Sequence, residues 1–233
     1  MVQTKCLIAL LFGFCLILGT ANADSMDELF VQEAPTVDEV NADIIRYKII
    51  LEEIIDTKVP KALLRNAEGI MVANVKKGGF LVAIQAGKGL LMLRKGYDWT
   101  NPSVVTVSNA SFGLQAGVES KNIVLIFTRS KLAEDLLSAE LKLGAGLDLT
   151  VGPLATDVGT KEVFYKEIYF YSDGVGVFAG ISFKGSSMAS DDLANEGLYG
   201  KKVTADDIFS GRASTTASAV VELKELLQAK APK

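Results

Sequence analysis

Apolar residues recur at helical spacing in the first part of the chain. Thr36-Val37-Asp38-Glu39 has the spacing of a capping box, in which Thr and Glu side chains bond free amides at a helix start. One apolar stripe behind it predicts a helix that packs on a core; its members are Val40, Ile44, Tyr47, Leu51, Ile54 and Ile55. Ile45 and Ile49 fall outside the stripe. Because the polar side is acidic, docking on a core is favoured over lying on a membrane surface. A second, short helix is predicted in PKALLRNAEG, with Pro60 in its first turn.

From about residue 70 the hydrophobic period becomes two, which is typical of β-strands. Short β-branched or aromatic runs, from IMVANV to GVFAGISFKG, alternate with turn signals. Glycine weakens a strand interior unless the sheet bends or another backbone comes close. Ala-Gly pairs recur inside these runs, which indicates one strongly coiled sheet; they are Ala86-Gly87, Ala116-Gly117, Ala145-Gly146 and Ala179-Gly180.

Three further helices are predicted after the strands begin. SKLAEDLL gives a short helix between strands, and Thr204-Ala205-Asp206-Asp207 caps a one-turn helix that Gly211 ends. The segment SAVVELKELLQAK gives the last helix. We therefore predict the α+β class: a β-rich, strongly coiled antiparallel sheet, barrel- or sandwich-like, flanked by N- and C-terminal helices.

The N-terminus has the pattern of a secretory signal. Lys5 precedes an unbroken apolar run from Cys6 to Leu18, and Ala21 and Ala23 supply the small residues of a cleavage site. The run is short for a membrane span. We expect a signal peptide at residues 1–23, a loose acidic leader at 24–35 and a single domain at 36–233. The expected location is exported, periplasmic or secreted.

The composition excludes several kinds of site. The chain has no histidine, and both cysteines, Cys6 and Cys15, lie within the predicted signal. A mature chain without either residue cannot form a Ser-His-Asp or Cys-His centre, a disulfide, or a zinc site of the Cys/His kind. Carboxylate, Ser/Thr, Lys and Tyr chemistry remains open.

The glycine-rich and acidic motifs do not indicate catalysis. Gly87-Lys88 is followed by Gly89 where a P-loop needs Ser or Thr. GVGVFA matches a dinucleotide pattern, but an alternating strand follows it where the phosphates need a helix. Asp191-Asp192 and Asp206-Asp207 are sequence neighbours whose side chains diverge. We predict a protein that is not an enzyme and has no cofactor or metal.

Charge is distributed in blocks. Asp24 to Thr57 holds ten acidic residues against Arg46 and Lys48, whereas only Glu68 opposes the basic block that follows. That block consists of Lys58, Lys61, Arg65, Lys76, Lys77, Lys88, Arg94 and Lys95. It indicates an anionic partner or internal pairing with the acidic segment, although edge lysines also protect strands from pairing. Tyr97 and Trp99 follow it directly, as at an interfacial headgroup site. The predicted export and the acidic total count against nucleic acid.

Five sequence blocks follow one another in order along the chain. They are VPKALLRNAEGIMVANVKKGGFLVAIQAGKG, WTNPSVVTVSNASFGLQAGVESKNIVLIF, LGAGLDLTVGPLATD, GVFAGISFKGS and LYGKKVTADDIFSG. In this order they resemble the SYLF domain family of lipid-binding and actin-regulating domains. The resemblance covers about Asp43 to Gly211 and is that of a bacterial, exported member without an SH3 or FYVE partner domain. It implies binding to phosphoinositides and membranes through a basic surface, here Lys58, Lys61, Arg65, Lys76 and Lys77.

We therefore expect peripheral binding to anionic phospholipid, with Lys58 to Lys95 at the headgroups and Tyr97 and Trp99 as anchors. For an exported bacterial chain, phosphatidylglycerol or cardiolipin is the expected ligand, and actin binding is not transferred. One alternative is a structural or protein-interaction domain of the cell envelope without a lipid ligand. Another is an apolar pocket inside the sheet that holds one lipid molecule. A hydrolase that uses carboxylates or Ser/Thr with a metal is a third.

Overall fold

The structure is a computed structural model that describes residues 34–80, 82–112, 117–137, 149–155, 164–173 and 186–233. The helices in these residues are α1 (Val37–Lys58), α2 (Lys61–Arg65), α3 (Ser130–Leu137), α4 (Asp192–Tyr199), α5 (Ala205–Ser210) and α6 (Ser218–Lys230). The strands are β1 (Gly69–Phe80), β2 (Val82–Lys95), β3 (Asp98–Trp99), β4 (Ser103–Phe112), β5 (Gly117–Phe127), β6 (Leu149–Val151), β7 (Ile168–Ser172) and β8 (Ser187–Ser190).

The eight strands form one sheet whose order is β6-β7-β5-β1-β2-β4-β8, with β3 paired to β2. β1 and β2 form a long antiparallel hairpin in which Gly69 pairs with Leu93 and Phe80 with Val82. The stretch that contains Lys76, Lys77 and Lys88 is therefore strand–turn–strand, as predicted, and the P-loop interpretation stays excluded. The predicted α+β class with flanking helices is confirmed. The order of the described strands is open, so the sandwich-like alternative fits and the barrel-like one does not. One correction is that β6 pairs in parallel with β7, which makes the sheet mixed rather than antiparallel.

α1 forms where the capping box and the apolar stripe predicted it. The Thr36 hydroxyl accepts from the Glu39 amide, and the Glu39 carboxylate accepts from the Thr36 amide at 2.8 Å. All six residues of the predicted stripe are buried, whereas Ile45 and Ile49 are exposed. The helix thus docks on the sheet through its predicted face and turns its acidic side to solvent.

The two faces of the sheet carry separate hydrophobic clusters, because side chains alternate along each strand. On one face, Ile70, Val72 and Leu90 pack against α1, α4 and α6. On the other, Met71, Leu91 and their neighbours pack with Leu132 of α3. The face covered by α1 becomes polar toward the hairpin end of β1 and β2, which determines where a groove opens.

The interior glycines of β2 allow close approach of β1. A Cβ on Gly87 would overlap the backbone oxygen of Asn74, and one on Gly89 would lie 2.5 Å from the Cβ of Ala73. The prediction that glycine marks close backbone approach is confirmed at Ala86-Gly87. Of the other pairs, Ala145-Gly146 and Ala179-Gly180 lie outside the described residues, as do Ala116 and the GVGVFA motif.

Helix boundaries differ from the sequence prediction at two places. α2 ends at Arg65, four residues before Gly69. α4 was not predicted; Asp191 is its N-cap, and the Asp191 side chain accepts from the Ala194 amide at 3.1 Å. The helices at Ser130–Leu137, Ala205–Ser210 and Ser218–Lys230 agree with the prediction.

Candidate functional site

The ten predicted site residues do not form one surface. Arg94 and Lys95 lie at the end of the β1–β2 hairpin where Gly69 pairs with Leu93, whereas Lys76 pairs with Ala86 seven residues further along β1. At roughly 3.3 Å per residue, these two groups are about 23 Å apart along the strand. Lys58, Lys61 and Arg65 form a third group, at the junction of α1 and α2. Alternation also places Lys77 on the opposite face of the sheet from Lys76.

Arg94 and Trp99 are interior residues. The Arg94 Nε donates to the Ala67 carbonyl at 2.6 Å, and its Nη2 donates to the carbonyls of Leu64 and Ala231 at 3.2 and 2.9 Å. Its guanidinium stacks on the Trp99 ring. Arg94 Nη1 and Trp99 Nε1 have no hydrogen-bond partner in the described part of the chain. Neither side chain reaches the surface in this structure, so we leave both out of the proposed lipid contact.

Lys95 and Tyr97 are at the surface but apart from the other lysines. Lys95 Nζ donates to the Ser210 carbonyl at 2.8 Å, which ties the β2–β3 hairpin to α5. Tyr97 follows Gly96, whose positive φ of 66° makes the hairpin turn, and its side chain is 77% exposed. Lys95 therefore has a structural contact, whereas Tyr97 is exposed to solvent.

A first groove, the junction groove, lies where α1, α2 and the end of α6 meet. It has a volume of about 840 Å³. Its apolar lining includes Ile55, Val59 and Leu64, all buried. The charged residues at its rim are Asp56, Lys61, Arg65 and Lys230. An apolar floor under a charged rim is suited to an amphipathic ligand.

Two of the exposed cations that have no partner among the described residues stand at this rim. Lys61 and Arg65 stand four residues apart on α2, on one side of the helix, and both are exposed. Within the described residues, no acidic side chain pairs with either one. Lys230 differs, since its Nζ lies 2.6 Å from the Asp56 carboxylate, and the hydrogen bond to Asp56 raises the pKa of Lys230.

Lys58 stands beside this groove but has a structural contact. Its Nζ donates to the Ser172 carbonyl at the end of β7 at 2.5 Å. Lys58 and Arg65 lie in last helical turns, where a positive charge complements the helix dipole. Lys61, in the first turn of α2, opposes the helix dipole instead.

A second groove, the sheet groove, lies between α1 and the polar part of the sheet. Its volume is about 410 Å³. α1 contributes Asp43, Arg46 and Tyr47. The strands contribute Asn74, Lys76, Ala86, Gly87, Lys88, Thr106, Val107 and Ser108. The side chain of Lys76 is exposed and has no hydrogen bond or ion pair among the described residues.

The other charges of the sheet groove are held by partners. Lys88 Nζ lies 2.8 Å from the Asp191 carboxylate, and Arg46 Nη2 lies 3.0 Å from Asp43. The Tyr47 hydroxyl donates to the Lys88 carbonyl at 2.8 Å, and burial raises the pKa of Tyr47. This bond fixes α1 over β2 and thereby sets the width of the groove.

The acidic side of α1 does not neutralise the basic block. Its ion pairs are Asp43 with Arg46, and Glu52 and Asp56 with Lys230, none of which involves a residue between Lys58 and Lys95. Internal pairing of the two blocks, one of the sequence-based explanations, is therefore not found among the described residues.

Two parts of the sheet groove were not predicted from the sequence: the residues that α1 contributes and the hydroxyl groups that the strands contribute. The overlooked residues are Asp43, Arg46, Tyr47, Asn74, Thr106 and Ser108. One signal was present in the strands: polar residues two apart, as in Asn74-Val75-Lys76 and Thr106-Val107-Ser108, replace apolar residues on a single face. The contribution of α1 depends on packing and has no local signal.

A membrane-spanning helix and a metal-binding cluster are both absent from the described residues. None of their helices combines the length and apolar character needed to cross a bilayer. No cluster of three or more acidic, His or Cys side chains is arranged to hold a metal ion in the same part of the chain.

Comparison with known proteins gives a family and several relatives. The family model Ysc84, described as "Las17-binding protein actin regulator", matches residues 108–230. Protein YSC84 of Saccharomyces cerevisiae is 31% identical over 165 residues, which are 67% of this chain and 35% of that protein. LAS seventeen-binding protein 3 of the same yeast is 29% identical over 163 residues, 67% of this chain and 36% of that protein.

An animal relative matches a larger share. SH3 domain-containing YSC84-like protein 1 of Homo sapiens is 28% identical over 176 residues, 74% of this chain and 51% of that protein. The chain thus spans between about a third and a half of these relatives. No solved structure matches the chain significantly.

Proposed function

This chain belongs to the Ysc84 (SYLF) family, and from that premise we propose that it is a non-enzymatic module that attaches peripherally to anionic phospholipid through the junction groove. The observation that carries the proposal is the pair Lys61 and Arg65, exposed on one side of α2 and unpaired within the described residues.

The charge at the rim supplies a measurable part of the free energy of attachment. Each basic side chain near an anionic surface contributes about 1 kcal/mol, so Lys61 and Arg65 together contribute about 2 kcal/mol, or roughly thirtyfold in partitioning. The Lys230–Asp56 pair is internally neutral and adds little. An exposed ion pair of that kind is also weak in solution.

The floor of the groove suits the part of a phospholipid next to its headgroup. Val59 and Pro60 lie between the two helices and, with Ala62 and Leu64, line the groove together with the cations. A phosphate at the rim would therefore leave its glycerol and first acyl carbons against apolar side chains. An anion without an apolar part would gain only the charge contribution.

The predicted export determines which anionic lipids the protein would encounter. Residues 1–33 lie outside the described part of the chain, and the secretory signal stays a prediction from sequence. In a bacterial envelope the anionic lipids are phosphatidylglycerol and cardiolipin, and these are the ligands we propose.

Vesicle flotation across a salt series tests the proposal. Protein recovered from expression of the full chain is mixed with phosphatidylcholine vesicles, with or without phosphatidylglycerol. We expect binding to the anionic vesicles that weakens as salt rises, and a roughly thirtyfold lower partition coefficient for the double variant Lys61→Met, Arg65→Met.

A matched control distinguishes the loss of this particular site from a general loss of positive charge. Lys201→Met, Lys202→Met removes two exposed lysines from the segment between α4 and α5 and should bind as wild type does. Every variant keeps residues 1–33, so attachment through that segment would be common to all. Equal binding by wild type and the Lys61/Arg65 variant would overturn the proposal.

A protein-interaction module is the second candidate, because the family model and one of the relatives above are named for binding Las17. In that case the junction groove would take an acidic, partly apolar peptide rather than a lipid. Vesicles would then make no difference, while the wild-type protein, but not the Lys61/Arg65 variant, would retain an acidic peptide in a pull-down.

A further inference from the structure

We propose that the sheet groove is a second binding site, separate from the junction groove, for a small phosphorylated polyol, meaning a molecule with one phosphate and free hydroxyls. Its volume of about 410 Å³ is within the usual range for small-ligand sites. Three cations and several neutral polar groups converge on it. The proposal does not depend on the phospholipid function proposed above.

Two consecutive rows of mainly polar residues cross the sheet at the floor of the groove and continue onto β5. In the first row, Asn74 pairs with Asn122 on one side and with Lys88 on the other, and Lys88 pairs with Thr106. In the second, Lys76 pairs with Ser120 and with Ala86, and Ala86 pairs with Ser108. The preceding row on this face is apolar, with Val72, Leu90 and Val104 in the core. On four neighbouring strands, β5, β1, β2 and β4, this face of the sheet therefore changes from apolar to polar residues at the same level.

The cations reach the groove from two sides. Lys76 and Lys88 are diagonal neighbours on β1 and β2, so their backbones are about 7–8 Å apart. Arg46 belongs to α1, which lies above this floor. A phosphate between them can accept from all three, and only a compact anion with several oxygens uses such an arrangement fully.

Ion pairs hold two of the cations, Lys88 and Arg46, in position while leaving their side chains exposed. Asp191 holds Lys88, whose side chain is 55% exposed, and Asp43 holds Arg46, whose side chain is 57% exposed. The Asp43–Arg46 pair is exposed on both sides and contributes little stability, so a phosphate can share Arg46 at small cost. Asp191 is only 13% exposed and keeps Lys88 in place beside the phosphate. Lys76 is unpaired among the described residues and gives the site its excess positive charge.

The remaining groups are suited to hydroxyls. Asp43 can accept from a hydroxyl, and the hydroxyls of Thr106 and Ser108 can donate or accept. Asn74 is held in place because its Nδ2 donates to the Asn122 Oδ1 at 2.8 Å. The Asn122 Nδ2 in turn donates to Asp173 at 2.8 Å. Recognition of the polyol part thus comes from Asp43, Thr106 and Ser108 beside a rigid amide network.

Isothermal titration calorimetry with glycerol 3-phosphate tests the site. We expect saturable binding at one site per chain, and an affinity about tenfold or more lower for Lys76→Met, which loses one charge-assisted contact. Ala86→Phe provides an independent variant, since Ala86 is exposed on the groove floor and a larger side chain fills the cavity without removing charge. It should abolish binding while the melting curve stays that of a folded protein.

Controls distinguish this site from the junction groove and from general charge attraction. Lys202→Met, which removes an exposed lysine elsewhere, and the Lys61→Met, Arg65→Met variant should bind glycerol 3-phosphate as wild type does. Equal weakening by Lys202→Met and Lys76→Met would overturn the proposal, as would the absence of saturable binding by wild type.

Two further probes identify the source of the phosphate. Inorganic phosphate that binds as tightly as glycerol 3-phosphate would overturn the polyol part of the proposal. Phosphatidylglycerol vesicles that compete with glycerol 3-phosphate in wild type would identify a lipid headgroup as the occupant. Vesicles that do not compete would identify a soluble phosphorylated polyol.

Discussion

The guanidinium carbon of Arg94 lies 4.4 Å from the centre of the Trp99 ring, and both side chains are buried. The same guanidinium donates to carbonyls at the end of α2 and to the carbonyl of Ala231, the C-cap of α6. A positive charge at two helix C-termini is favourable, although burial lowers the pKa of Arg94. One side chain thus ties α2 and α6 to the sheet.

We expect Arg94→Met to destabilise the fold by about 3 kcal/mol or more, because three buried carbonyls lose their donor. Urea unfolding followed by circular dichroism measures the change. Arg65→Met, which removes an exposed arginine in the same region, should stay within about 0.5 kcal/mol of wild type. Similar stability for Arg94→Met and Arg65→Met would show that Arg94 does not connect the helices.

The capping box of α5 gives a pH-dependent contribution. Hydrogen bonds from the hydroxyl and amide of Thr204, and then from Arg212, lower the pKa of Asp207 from 3.8 to about 2. A lowered pKa means that the stabilisation is fully present above pH 3.8 and is lost as pH falls toward 2.

Asp207→Asn should therefore be less stable than wild type at neutral pH, and the difference should shrink as pH falls below 3.8. Chemical denaturation at pH 7, 4 and 2.5 measures this. Asp206→Asn, beside it, lacks the bonds to Thr204 and should show a smaller effect. A difference that stays constant across this range would contradict the role given to the Asp207 carboxylate.

We expect Gly89→Ala to lower stability by about 3 kcal/mol or to prevent folding, because the new Cβ would overlap β1 at Val72 and Ala73. Thermal unfolding of soluble protein provides the measurement. Ala86→Val adds carbon atoms to the same strand on its open side and serves as the control. If both variants melted near wild type, close approach of β1 at Gly89 would be excluded.

Asn195 connects α4 to the sheet. Its Oδ1 accepts from the Val104 amide at 2.8 Å, and its Nδ2 donates to the Val104 carbonyl at 3.1 Å and to the Ser190 hydroxyl at 2.9 Å. We expect Asn195→Leu to cost about 2–3 kcal/mol, since buried backbone groups lose their partners, and Ser190→Ala to cost about 1 kcal/mol. Equal losses of stability in the two variants would indicate that the hydrogen bonds from Asn195 to the backbone of Val104 contribute no more than its bond to Ser190.

Local patterns predicted the elements that depend on neighbours in sequence. The capping boxes at Thr36 and Thr204 and the apolar stripe of α1 fix helix starts and faces through contacts three or four residues apart. α4 gave no such signal, because it contains Asn195 and Gly197, which are poor helix formers. Packing explains both: Asn195 bonds to the sheet, and a Cβ on Gly197 would overlap the Pro35 carbonyl.

The sequence by itself determined the α+β class, the β1–β2 hairpin and the block of positive charge, because periodicity and composition are local properties. Only the tertiary structure decided how those charges are divided. It buried Arg94 against Trp99, gave Lys58 and Lys95 carbonyl partners, and left Lys61, Arg65 and Lys76 exposed without partners among the described residues. It also brought Arg46 over Lys76 and Lys88. The reason is physical: a charge interacts through distance and burial, which depend on residues that are remote in sequence.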